Sequence, residues 1–113
     1  MKRLKLIFHL LISLAACAMM LSADDSIVGR HIRHLGIDQG LSNGYIHQMV
    51  EDADGYIWIA TNEGLERFDG NRFIHFNTDN SGLSANELNC LAILSGDPTH
   101  LWIGTQRSGL CVM

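Results

Sequence analysis

Two imperfect copies of a unit 42–45 residues long, strand-length apolar segments separated by glycine turns, and a central segment apolar on both alternating sides together predict an all-β fold of β-propeller blades. The expectation is about two four-stranded antiparallel meanders of an incomplete ring, after an N-terminal signal helix. Its boundaries fall at residues 1–23 for a signal peptide or signal anchor and 24–37 for an N-terminal strand segment. A first repeat at 38–80 and a truncated second repeat at 81–113 follow.

The copies show in three matched stretches. Gly40-Leu41-Ser42-Asn43 recurs as Gly82-Leu83-Ser84-Ala85-Asn86 at an offset of 42. Tyr56-Ile57-Trp58-Ile59-Ala60-Thr61 recurs as His100-Leu101-Trp102-Ile103-Gly104-Thr105 at 44, and Gly64-Leu65 as Gly109-Leu110 at 45. The offset grows because the second copy has a longer turn at Ser95 to Thr99 and one extra residue at Gln106 to Ser108.

The N-terminus reads as an export signal. Lys2, Arg3 and Lys5 precede an apolar run from Leu6 to Leu21, too short for a typical membrane-spanning helix. Ala16-Cys17-Ala18 offers one cleavage site and Leu21-Ser22-Ala23 a weaker one. Leu14-Ala15-Ala16-Cys17 also resembles a bacterial lipobox, which would place a lipid on Cys17, although Ala18-Met19-Met20-Leu21 stays apolar where lipoproteins turn polar. Ile27 to Ile37 reads as one strand without a meander of its own, of the kind that completes the last blade of a closed ring.

In the first copy, Ile46 to Glu51 alternates apolar and polar residues and Asp54-Gly55 is a two-residue hairpin signal. Tyr56 to Thr61, Leu65 to Phe68 and Arg72 to Phe76 supply three further strands, with turns at Asn62-Glu63-Gly64 and Asp69-Gly70-Asn71. The Tyr56 to Ala60 segment is apolar on both sides, as a sheet packed between two neighbours requires. Ala85 to Leu94 alone could pass for a helix capped by Ser84, but its counterpart Gly44 to Asp52 is strand-like and decides for strand. Cys90 and Cys111 fall on the first and third strands of one meander, roughly 9.6 Å apart, too far for a disulfide, so two free, buried thiols are expected.

The chain has 113 residues, 47% of them apolar and 18% charged, an ordinary globular composition. A net charge of −4 with no basic stripe argues against nucleic acid as a direct partner. Trp58 and Trp102 recur at equivalent positions, which argues for packing rather than sugar stacking. Asp52 and Asp54 could form a carboxylate pair, but Asp54 precedes Gly55 in a turn, where Asp serves backbone conformation. Asn77-Thr78-Asp79-Asn80-Ser81-Gly82 resembles the start of a calcium loop, yet the twelfth position is Leu88 and Glu87 falls one short. His31 and His34 would point to opposite faces of a strand, and His47, His75 and His100 are scattered. No catalytic constellation, metal site or cofactor motif emerges.

The quoted residues resemble the two-component regulator propeller repeat: Gly40-Leu41-Ser42-Asn43, then Asp54-Gly55-Tyr56-Ile57-Trp58-Ile59-Ala60-Thr61, Gly64-Leu65 and Arg67-Phe68. Trp102-Ile103-Gly104-Thr105 with Gly109-Leu110 matches again, so that Leu35 to Met113 carries the likeness. The recurring structural positions are Asp54, Gly55, Trp58, Thr61, Gly64, Trp102, Thr105 and Gly109. The resemblance implies a periplasmic propeller of a hybrid two-component sensor, often one responding to oligosaccharides, followed elsewhere by a β-rich domain, membrane helix, histidine kinase, receiver and output domain. Nothing in the sequence matches the kinase part, so these residues are expected to be non-enzymatic. Partners are then an oligosaccharide ligand of the whole ring, its remaining blades and a downstream kinase. Loops Gln39 to Gly44 and Asn77 to Asn86 are the candidate ligand contacts. The alternatives are a propeller-type carbohydrate-active enzyme fragment, or a small self-contained, lipid-anchored binding module.

Overall fold

The computed structural model describes residues 2–19 and 31–113, with side chains for 2–12 and from residue 31 onward. It divides into two units, residues 1–33 and 34–113. The first holds helix α1, Lys2–Met19. Its first turn has no acidic residue and carries Lys2, Arg3 and Lys5, the wrong charge for a helix N-terminus, so these cations do not serve helix stability. Among the described residues no helix is long and apolar enough to cross a membrane. The second cleavage site and residues 24–30 lie outside the described residues, as does the side chain of Cys17.

The second unit is all β apart from one short 3₁₀ turn, Ile37–Gln39. Sheet 1 runs in the order β1 (Ile46–Glu51), β2 (Ile57–Thr61), β3 (Gly64–Phe68), β4 (Phe73–Phe76), every pair antiparallel. Sheet 2 is β5 (Leu88–Leu94), β6 (Asp97–Thr105), β7 (Leu110–Val112), again antiparallel throughout. These are propeller blades, and Ala85 to Leu94 resolves as strand from Leu88 onward, as the repeat required.

Residues directly opposite in antiparallel strands share a face. Trp58 opposes Val50 and Arg67, and Ala60 opposes Leu65, which in turn opposes Phe76. That face of sheet 1 meets the face of sheet 2 built by Leu88, Leu91, Leu101 and Ile103, with Leu83 between them. Leu65, Leu88 and Ile103 are completely buried in this seam. Each such side chain contributes about 1.5–3 kcal/mol relative to exposure, so this seam supplies most of the apolar burial that holds the unit.

Four expectations are corrected. Residues 31–36 form no strand, and Ile37 enters the 3₁₀ turn, where Gly40 N donates to Ile37 O at 3.0 Å. The first hairpin connection is not a two-residue turn: Glu51 pairs with Ile57, leaving five residues between. A two-residue type I′ turn needs positive φ at both central residues, and Asp54 lacks it, whereas Gly55 has φ 86°. The insertion in the second copy is not a longer turn. Leu94 pairs with Asp97 and Ile93 with Leu101, so Pro98, Thr99 and His100 bulge out of β6. Finally, both thiols are free, but Cys90 is exposed and Cys111 half-buried. Cys90 opposes Gly104 on the face of sheet 2 turned away from sheet 1, which nothing in this unit covers.

Candidate functional site

The recurring residues turn out to be braces. Thr61 Oγ1 donates to Gly64 O at 2.9 Å and accepts from Glu63 N at 3.1 Å, closing the β2–β3 turn. Thr105 repeats this, donating to Gly109 O at 2.8 Å and accepting from Ser108 N at 2.8 Å. The extra residue in the second turn is absorbed without losing the brace. Gly64 is needed on two counts: its φ is 131°, and a Cβ there would collide with the Phe76 carbonyl oxygen.

Asp52, not Asp54, organises the β1–β2 connection. Its Oδ1 accepts from Asp54 N and Tyr56 N, each at 2.9 Å, and its Oδ2 accepts from Trp58 Nε1 at 2.8 Å. Partial desolvation pushes the Asp52 carboxyl up, but the donors on Trp58, Tyr56, Asp54 and Gly55 outweigh it and hold it below the ordinary carboxylate value. Its lone pairs are committed to the loop and the indole. Above them Arg67 lies over the Tyr56 ring at 4.6 Å and the Trp58 ring at 5.8 Å. Asp69 plays the same turn-building part before β4, where the Arg72 and Asn71 amides hold its carboxyl low.

Glu66 is the residue that sequence reasoning missed. It sits in the middle of β3 with no exposed surface, opposite Ile59 and His75, on the face turned away from sheet 2. Its Oε1 accepts from His75 Nδ1 at 2.7 Å and from Ser42 N at 3.2 Å. Its Oε2 has no protein partner, and neither does the buried hydroxyl of Ser42. In the second repeat the equivalent position is Cys111, whose Sγ lies 3.1 Å from Ser84 Oγ. The only sequence signal for this was that Glu66 interrupts an otherwise apolar β3 start at a position the second copy fills with cysteine.

Both candidate loops are anchored by their leucines. Leu41 is 4% exposed and Leu83 7%, so each Gly-Leu-Ser stretch lies against a sheet face instead of projecting from it. In the second loop, Asn77 Oδ1 accepts from Asp79 N and Asn80 N, and Asn86 Oδ1 accepts from Thr78 N. The Asn77 side chain is thus spent on its own turn, and Leu88, at the twelfth position, is buried in the seam. Thr78, Asp79 and Asn80 remain exposed, as do Gly44 and Tyr45 at the end of the first loop.

Among the described residues, His47, His75 and His100 each lie beside a side-chain partner. His47 Nε2 lies 2.7 Å from Asn62 Oδ1, and His100 Nδ1 lies 2.7 Å from Asp97 Oδ2. The His100 contact, with Thr99, holds the Asp97 carboxyl below its ordinary value. His31 and His34 are exposed and lie outside any strand. Between the sheets, at the end where the β1–β2 connection meets the β6 bulge, a cleft of about 420 Å³ is lined by Asp52, Asp54, Trp58, Pro98, Thr99 and Leu101. It offers carboxylates and a hydroxyl beside an apolar wall.

Among known proteins, residues 40–63 match the two-component regulator propeller. The first blade carries that repeat. A solved structure from B. thetaiotaomicron, the extracellular domain of a putative hybrid two-component system, is 42% identical with a TM-score of 0.63. The match covers 71% of this chain and 11% of that one, so this chain corresponds to a small part of that extracellular domain. No curated protein matches. The regulator propeller repeat continues past the matched residues in geometry: Thr105, Gly109 and Leu83 of the second blade stand as Thr61, Gly64 and Leu41 stand in the first.

Proposed function

We propose that this chain is a periplasmic ligand-sensing segment of a two-component receptor, exported by its N-terminal signal and sensing oligosaccharides through the ring of which its blades are part. The observation that carries this reading is the 42% identity to the extracellular domain of a putative hybrid two-component system, over 71% of this chain. Residues 1–23 would be the export signal, either cleaved, retained as an anchor or lipidated at Cys17. Residues 24–37 lead into repeats at 38–80 and 81–113. In this reading a histidine kinase and its output domains act on the cytoplasmic side, and the segment itself binds without catalysing. The bracing roles of Thr61, Asp52 and Trp58 support a rigid scaffold, with specificity left to exposed loop residues such as Tyr45, Asp79 and Asn80.

The test has two parts. An antibody raised against residues 31–113 should detect a native product many times heavier than this chain, on the periplasmic side of the inner membrane. Calorimetric titration of that product's periplasmic portion with a panel of oligosaccharides should give saturable binding without glycan cleavage. Turnover of a glycan would overturn the non-enzymatic reading, and a native product of about this chain's own mass would overturn the receptor reading.

A further inference from the structure

The two copies carry different residues at one end of the blades, where the β2–β3 turn meets the start of β1 and the β6–β7 turn meets the start of β5. Both first strands have a bulge at the same place, between Ile46 and Gln48 in β1 and between Leu88 and Cys90 in β5. A bulge leaves one residue unpaired and re-aims its side chain. That residue is His47 in the first blade and Asn89 in the second, and both are exposed. Beside them stand Tyr45, 72% exposed, and the exposed Glu87 and Gln106. Gln48 Oε1 accepts from Leu91 N at 2.8 Å, which fixes β1 beside β5, so the two bulges share one rim. The opposite end is different, because Asp52 and Asp69 there spend oxygens on their own turns. At the rim, Thr61 and Thr105 close the turns, and Asn62 and Gln106 have no part in closing them.

Given the oligosaccharide-sensing reading, on which this rests, we propose that the rim is a binding site for a neutral oligosaccharide. Tyr45, His47 and Asn62 of the first blade hold one sugar, and Asn89 and Gln106 of the second meet its neighbour. Tyr45 N donates to Asn43 Oδ1 at 2.7 Å, which sets the backbone that carries the ring. An exposed tyrosine offers an apolar plane with a polar tip, matching the C–H face and hydroxyl edge of a sugar ring. His47 Nε2 and Asn62 Oδ1 hold each other at 2.7 Å, leaving the Asn62 amide donors and the second imidazole nitrogen for hydroxyls. Side-chain amides such as those of Asn89 and Gln106 suit a hydroxyl, which both donates and accepts. The charged neighbours are Glu63 and Glu87 against Arg107, a balance that disfavours phosphates and uronates. Further blades stacked face to face, as these two are, would cover sheet faces and leave the strand ends open.

Isothermal titration of the whole native product in detergent, with xylo-, manno-, gluco- and arabino-oligosaccharides and with oligogalacturonates, tests the site. A neutral member of this set should bind more tightly than the galacturonates. Tyr45→Ala and Asn62→Ala should each weaken that binding about tenfold or more. Tyr45→Phe keeps the ring and should stay within about twofold of the wild type. Asn71→Ala, in the turn at the opposite end, should leave the affinity unchanged. Should Asn62→Ala lower the unfolding temperature, the exposed Tyr45 decides alone, through its Ala and Phe variants. Sugar binding by the wild type that Tyr45→Ala leaves undiminished, or that Asn71→Ala weakens equally, would overturn the rim site while the sensing reading stands. Preference for the galacturonates would overturn the neutral class of ligand. Failure of the wild type to bind any of these sugars would remove the site and the oligosaccharide reading together.

Discussion

The two blades share one plan and treat the same positions differently. Leu65 is sealed in the seam while Leu110 is 63% exposed, Trp58 has its indole N–H on a carboxylate while that of Trp102 has none, and Glu66 is replaced by Cys111. What stays constant is the local brace, Thr61 with Gly64 and Thr105 with Gly109. The comparison separates two kinds of recurrence. Local hydrogen bonds repeat because every blade needs its own turns closed. Burial repeats only where a neighbouring sheet is present to provide it.

The largest effect should come from breaking the leucine equivalence. Leu65→Ala should lower the unfolding free energy by about 2–5 kcal/mol in a urea titration, whereas Leu110→Ala, on an exposed surface, should change it by less than about 0.5 kcal/mol. Equal costs would mean that the outward face of sheet 2 is covered in solution. Next, Glu66→Ala should cost about 1–3 kcal/mol by leaving the Ser42 amide and His75 without their buried acceptor, and Cys111→Ala clearly less.

Asp52 sharpens the comparison through pH. Its native carboxyl lies below the ordinary value of 3.8, so as pH falls the unfolded chain takes up that proton first. The stability it contributes is fully present above about pH 5 and is lost as pH falls through its folded value. Asp52→Ala should therefore cost about 1–3 kcal/mol at neutral pH by orphaning the Trp58 indole N–H, and Asp52→Asn should flatten the acid limb of thermal unfolding curves. The smallest difference should be between Thr61→Val and Thr105→Val. Each removes one brace worth about 0.5–1.5 kcal/mol, with the fully buried Thr61 at the upper end.

The blades were legible because their signals are local and duplicated. Period-two alternation, glycine turns and the offset of Trp58 and Trp102 all survive in a single sequence. The turns were read less well, since Asp54-Gly55 has the composition of a tight hairpin while Asp52, two residues earlier, carries the hydrogen bonds that lengthen it. Glu66 escaped because a charged residue in a strand reads as solvent-facing. Its burial depends on the Leu41–Ser42 segment folding back over that face, a contact between residues 24 apart. The thiols were misjudged for the complementary reason: strand spacing correctly forbade a disulfide, but exposure depends on which sheet face is covered. The ligand-contacting residues are not fixed by the repeat at all, because a repeat records what blades have in common.

The bulge at Pro98, Thr99 and His100 bears on how such a chain tolerates changes in its own length. The bulge holds three residues although the repeat offset grows by only two, from 42 to 44, and a shift of the ladder by one residue would turn every later side chain to the opposite face. Looped out as a group, these residues leave Leu101 and Ile103 pointing into the seam as if nothing had been added. Proline at the head of the group brings no amide hydrogen in need of a partner. A strand that can store surplus residues off the ladder gives this blade a place to vary in contour while its interior keeps count.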